Sequence, residues 1–251
     1  MKKSVFTLAL LLSTSVQAVP TGLEIMHLVE DSDRSHDMTQ IMLMKIRRGD
    51  VELKRLMKSE TLRTAKGRKT FMQFEKPAEI RGTRFLIWSD DNPDVEDDMW
   101  ISLPNSGLVR RISGSGKQGV FMRSDLLNED IQPRAIEDDT HVYLRTEACG
   151  ENECYVVEST PVRPDSSFYG KRLAWVRTDI FQADRIERYS KQGRLLKTSW
   201  YTGYKNYAGS WFASEMVTKN ALKDSETRVS YRKIEVNRNL TAQAFSQQRL
   251  K

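Results

Sequence analysis

The chain has 251 residues, with 40 Lys+Arg against 34 Asp+Glu and a formal charge of +6. Without the two lysines of the leader described next, that charge falls from +6 to +4, an ordinary solvated surface rather than a nucleic-acid-binding face. Three scattered His and two Cys do not supply the paired ligand spacings of a zinc site.

Residues 1–18 read as a signal peptide. Lys2 and Lys3 form the positive region, "VFTLALLLSTSV" the apolar one, and Val16-Gln17-Ala18 a small-residue cleavage site. The apolar run is too short to span a bilayer. Val19 follows the cleavage site, so no lipid-acceptor cysteine opens the mature chain. Residues 19–251 are expected to form a single periplasmic domain.

"TGLEIMHLVE" opens with a Thr21–Glu24 capping box, and Ile25, Leu28 and Val29 recur at helical spacing. His27 reads as a packing residue on that helix. The period then changes to two. "QIMLMKIRRGDVELKRLMKS" predicts two strands about "RRGD", and "TLRTAKGRKTFMQFEKP" another pair about Lys66-Gly67. "GTRFLIWSD" and "DMWISLP" pair across an acidic loop, and "NSG" turns into "LVRRIS". Further short strands follow in "THVYLRTEA", "CYVVEST", "RLAWVRTDI", "RIERYSKQGRLLKTSWYTGYKNY", "WFASEMVTK" and "TRVSYRKIEV". Turns are expected at Gln192-Gly193 and Ala208-Gly209. The series predicts a mainly β chain built as an antiparallel meander.

Gly114, Gly116 and Gly119 spell G-x-G-x-x-G, which cradles phosphate only inside a parallel βαβ unit. Hairpins surround it here, so "GSGKQG" reads as a hinge. It delivers a short apolar helix around "SDLLNEDI", with Ser124 as N-cap and Asp125 in the first turn. Together, "VFMRSDLL" is expected to act as a movable plug. The run "SDDNPDVEDDM" lacks glycine at the sixth position of a calcium loop counted from Asp90, and Ile101 stands at the twelfth; it reads as a solvated hairpin loop. Met42 and Met44 share one strand face with Ile46, which favours core or pocket lining over copper ligation. No G-x-S-x-G or H-E-x-x-H occurs, and His27, His36 and His141 show no triad spacing. No enzymatic activity, metal or cofactor is expected.

Cys149 and Cys154 bracket Gly-Glu-Asn-Glu between strand-like flanks. Facing each other across a four-residue hairpin loop, they would be within disulfide reach, and an oxidising compartment favours closure. The strands carry more apolar side chains than one face needs, and many are methionines. Methionine adapts its shape to varied apolar ligands. A curved sheet with an apolar concave face, partly plugged by short helices, would suit a lipid.

The stretch Gly82–Ile131, with G-x-x-F-L, an acidic loop, M-W-I-x-L-P, V-R-R-I, F-M-x-S-D and E-D, resembles the exported outer-membrane lipoprotein-sorting-like proteins. "YGKRLAWVRTDIF", "RIERYSKQGRLLKT" and "FSQQRL" continue the resemblance in order. It implies a half-open antiparallel β-barrel of the LolA/LolB-like kind, with a few short α-helices in its concave face. It further implies a non-enzymatic carrier of lipid or lipoprotein acyl chains, serving sorting towards the outer membrane; the chain is expected to be monomeric and, as an exported protein, to have no nucleic-acid partner. An exporter of the resistance-nodulation-division type is the implied membrane partner. A sensor or adaptor of the same fold is the alternative. The cavity candidates are Met42, Met44, Phe71, Leu86, Trp88, Met99, Ile101, Phe121, Met122 and Leu126. Arg110 and Arg111, adjacent on a strand, point to opposite faces, and one of them is expected to meet an anionic head group or a carboxylate from the helices.

Overall fold

The computed structural model describes residues 19–104 and 107–251; the expected leader lies outside them. Helix α1 runs Gly22–Ser32 behind the predicted capping box, in which Glu24 N–H donates to Thr21 Oγ1 (3.2 Å) and Thr21 N–H to Glu24 Oε2 (2.7 Å). Ile25 is buried, whereas His27, expected to pack, is exposed.

Fifteen strands follow among the described residues: β1 Asp37–Arg48, β2 Val51–Thr64, β3 Gly67–Lys76, β4 Arg84–Asp90, β5 Asp98–Leu103, β6 Leu108–Ile112, β7 Asp139–Cys149, β8 Asn152–Pro161, β9 Lys171–Arg177, β10 Ala183–Tyr189, β11 Leu195–Thr202, β12 Lys205–Tyr207, β13 Ser210–Phe212, β14 Glu215–Asn220 and β15 Ser225–Val236. Thirteen of them form one antiparallel sheet, in the order β6-β5-β4-β3-β2-β1-β15-β14-β11-β10-β9-β8-β7, and β12 pairs with β13 alone. The sheet is open, with β6 and β7 at its edges. The pairing of β1 with β15 joins the two halves of the chain. The two hairpins read around "RRGD" and Lys66-Gly67 share one strand, since β2 runs unbroken for 14 residues. Gly67 sits at φ 136°, where a Cβ would lie 2.1 Å from Ser89 O, so only glycine fits that turn.

Strand alternation sends every second side chain to the same face. On the inner face Met44, Ile46, Met57, Met72, Phe74, Phe85, Ile87 and Met99 pack around Phe121 and Leu126. On the outer face Leu62, Phe71, Leu86 and Trp100 pack beneath Phe245 and Leu250. The C-terminal segment is pinned there by polar bonds: Trp88 Nε1–H donates to Phe245 O (2.9 Å) and Ser102 Oγ–H to Leu250 O. This cover explains why "GTRFLIWSD" is apolar at both phases. Helix α1 lies over the inner face of β7–β10, with Ile25 against Val157, Ala174 and Val176.

Two local expectations change. Cys149 and Cys154 are bonded, with Cα atoms 5.9 Å apart, but they do not face each other. The turn has two residues, Gly150-Glu151. Cys149 lies opposite Asn152 and Cys154 opposite Glu147, so the bond runs diagonally across the hairpin. The expected helix at 124–131 is replaced by a tight turn, and α1 is the one α-helix among the described residues. Val120 bridges Leu127, Met122 and Arg123 take positive φ, and a 3₁₀ turn follows at Asn128–Ile131. Ser124 does not cap a helix. Its Oγ–H donates to Phe121 O (2.6 Å) and its Oγ accepts from Leu126 N–H (3.1 Å), closing its own turn.

Candidate ligand cavity

The registers line up one inner row: Met44 lies opposite Val229, Val229 opposite Met216, and Met216 opposite Tyr201. Met42 lies opposite Tyr231 in the next row. With Met72, Phe121 and Leu126, these side chains line a cavity of about 360 Å³. Such a volume and lining suit a small apolar ligand or part of a larger one. Burial pushes the Tyr231 phenol well above its ordinary value, so it stays neutral at physiological pH.

The mouth beside α1 is polar. Arg63 Nη1 and Arg68 Nη2 lie 3.3 and 3.1 Å from Glu30, and both guanidinium groups lie 3.6 Å from Asp33. Ser35, His36 and Asp37 also border the cavity. The Ser35 hydroxyl donates to Asp33 (2.6 Å), while His36 Nδ1 sits 3.5 Å from Asp37. Ser35 and His36 at this mouth are therefore not coupled as a nucleophile and its base.

The turn of residues 119–131 forms the far wall, and charge holds it in place. Lys197, Arg188 and Arg172 are consecutive cross-strand neighbours on β11, β10 and β9, all on the inner face. Like charges placed opposite one another repel, so the ladder needs acids. Asp130 supplies one, paired with Lys197 and, at 3.0 Å, with Arg188 Nε, while Tyr169 Oη–H donates to it at 3.0 Å. Glu129 and Asp139 lie 3.7 and 3.3 Å from Arg172. Burial pushes the Asp130 carboxyl up, but Arg188 and Lys197 outweigh it and hold it below the usual carboxylate range. Burial draws the Lys197 ammonium below its usual range against the pull of Asp130. Asp125 takes the hydroxyls of Ser225 and Thr227, which ties the wall to β15.

Of the cavity candidates, Met42, Met44, Phe121 and Leu126 line the cavity. Met99, Ile101 and Met122 belong to the same inner core without reaching its lining. Phe71, Leu86 and Trp88 do not line it. They lie on the outer face under the C-terminal segment, because each is one residue out of phase with an inward neighbour. Arg110 and Arg111 do point to opposite faces. Arg110 lies opposite Ile101 on the inner side, whereas Arg111 lies opposite Trp100 and pairs with Asp98 at 2.6 Å. Sequence reading missed Tyr201, Met216, Val229, Tyr231 and the cationic ladder. Val229 and Tyr231 carried a signal, since they alternate at period two in "TRVSYRK", but their partners on β1 lie at the other end of the chain.

A family model described as "-like: Uncharacterized protein" matches residues 66–251. No curated protein matches the chain. A DUF1329 family protein from Desulfovibrio piger is 30% identical, over 92% of this chain and 98% of the other, with a TM-score of 0.89. A domain assigned to outer-membrane lipoprotein sorting, from Vibrio parahaemolyticus, is 28% identical over 91% of this chain and 97% of its own, at a TM-score of 0.87. A LolA superfamily protein from Nitrosomonas europaea shares the fold, with a TM-score of 0.71 and 23% identity over 91% of this chain and 98% of its own. The segments that carried the resemblance meet in space, since Asp130 and Glu129 of the first bind Arg188, Lys197 and Arg172 of the later ones. The chain belongs to the DUF1329 family and shares its fold with the LolA superfamily protein.

Proposed function

We propose that this protein is a periplasmic carrier, with residues 19–251 as its single domain, that holds a lipid or the acyl chains of a lipoprotein in the inner cavity. The observation that carries the reading is the lining itself. Five methionines and two tyrosines surround one opening beside a charged mouth, and adaptable thioethers suit chains of varied shape. The role is binding rather than catalysis: Asp33, Arg63, Arg68 and Asp130 are committed to ion pairs. Arg110 is the better head-group candidate of the two arginines. It lies on the inner side of the β6 edge and has no ion-pair partner among the described residues, whereas Arg111 is held by Asp98. A resistance-nodulation-division exporter as membrane partner rests on the family resemblance alone.

Protein purified from the periplasm should carry a lipid-sized added mass in native mass spectrometry. It should also pass that lipid to acceptor vesicles. Binding without transfer would favour the sensor or adaptor reading, and absence of any bound lipid would remove both.

A further inference from the structure

A second recess lies on the far side of the 119–131 wall and opens at the opposite end of the strands. It encloses about 420 Å³. The wall serves both spaces by alternation: Phe121 and Leu126 face the first cavity, Val120 and Leu127 the second. Phe168, Leu196 and Leu222 complete its apolar lining. Val120, Phe168 and Leu222 are 57%, 42% and 48% exposed, so three large apolar side chains gather around one opening. Scattered singly they would need no account; gathered at a recess they mark a binding surface.

The lip of this recess is cationic. Arg48 lies opposite Ser225, and Gly49 N–H donates to Asp224 O at 3.3 Å, which brings Arg48 and Lys223 to the same edge. Arg48 Nη2 donates only to a neutral carbonyl, Arg123 O, at 2.8 Å. Lys223 has no ion-pair partner among the described residues. Of the two acids in the lining, Asp224 pairs with Arg47 at 3.0 Å, and Asp125 is held by the Ser225 and Thr227 hydroxyls on the wall rather than by either lip cation. An apolar recess whose two lip cations, Arg48 and Lys223, are in no ion pair among the described residues complements a single acyl chain with an anionic head.

We propose that this recess is a second binding site, for a single-chain amphiphile with a carboxylate or phosphate head, separate from the first cavity. Oleate, oleoyl lysophosphatidate and the uncharged monoolein are the probes, titrated by native mass spectrometry and calorimetry. Oleate or the lysophosphatidate, whichever supplies the head in nature, binds the wild type at a site lost on charge reversal. In Arg48→Glu/Lys223→Glu its affinity there falls at least tenfold, whereas monoolein binding is unchanged. Both positions are on the surface, and Leu222→Asp provides a second, independent block of the same mouth. Met216→Trp, which narrows the first cavity, leaves the lip-dependent site intact. Unchanged anionic binding in both lip variants overturns the proposal, as does no anionic binding by the wild type. Failure of the carrier reading shows separately, as periplasmic protein without co-purified lipid.

Discussion

Two carboxylates show how much depends on what surrounds a single residue. Asp130 is buried between Arg188 and Lys197, and removing one member of such a group leaves charge uncompensated. Asp130→Ala should therefore cost about 3–5 kcal/mol in urea unfolding, and Asp130→Asn less, because the amide still accepts the bonds from Leu127 N–H and Tyr169 Oη–H. The folded carboxyl is depressed. Its contribution is thus complete above the unfolded value of about 4 and is lost as pH falls through the folded one. Asp97 behaves in the opposite sense. Burial pushes it up to about 6, against the bond it accepts from Asp90 N–H at 3.0 Å and the attraction of Lys117. Between about pH 4 and 6 the folded chain binds the extra proton, so stability falls as pH rises through that window. Asp97→Asn keeps the acceptor and removes the charge. Its Tm should exceed that of the wild type at pH 7.5, and the difference should shrink towards pH 4; equal values at both ends would show that the loop relaxes around the charge.

At the level of elements, local chemistry was readable and distant pairing was not. The capping box, the hairpins about Gly49 and Gly67 and the β4–β5 pair follow from neighbouring residues. The outer cover does not: nothing in "FSQQRL" says that Phe245 and Leu250 will fold back 140 residues or more to lie on Leu86 and Trp100. Lacking that cover, sequence reading sent Phe71, Leu86 and Trp88 to the cavity. Removing the Phe245 ring should cost about 3–5 kcal/mol for Phe→Ala in a closed core and shift the emission of Trp88, which donates to the Phe245 carbonyl. The 124–131 stretch misled for a related reason. Its serine and acids have the pattern of a helix start, yet Asp130 and Glu129 serve cations some 40 to 70 residues onward. The Cys149–Cys154 hairpin, by contrast, was largely readable from spacing, apart from its diagonal geometry. Replacing both cysteines by alanine should cost about 2 kcal/mol, the chain-entropy value for so short a loop. Alkylation of the unreduced protein should find no free thiol.

Over the whole molecule, the β1–β15 pairing lets residues from both ends of the chain build one cavity, and the 119–131 wall divides the inner face. The glycines at 114, 116 and 119 suggested a hinge carrying a plug that a bound chain could push aside. The structure attaches that plug at three levels: apolar contacts of Phe121 and Leu126, hydroxyl bonds from β15 to Asp125, and the ion pairs of Asp130. Swinging it out would strip Arg188 and Lys197 of their shared carboxylate inside the protein, at a cost of several kcal/mol. A buried acyl chain offers about 0.8 kcal/mol per methylene, but only for surface it covers itself, and the wall already covers its part. Ligand should therefore fill the space on either side of the wall and leave the wall in place. Amides within the turn donate to protein acceptors: Phe121 to Leu126 O, Ser124 to Phe121 O and Asn128 to Gly119 O. Hydrogen exchange across Phe121–Asp130 should thus be slow, and equally slow with and without oleate, while Gly114–Gln118 exchanges faster. Asp130→Asn should loosen the same segment even without ligand. If oleate alone raises exchange across Phe121–Asp130 in the wild type, the wall is a moving part and the ion cluster is its latch.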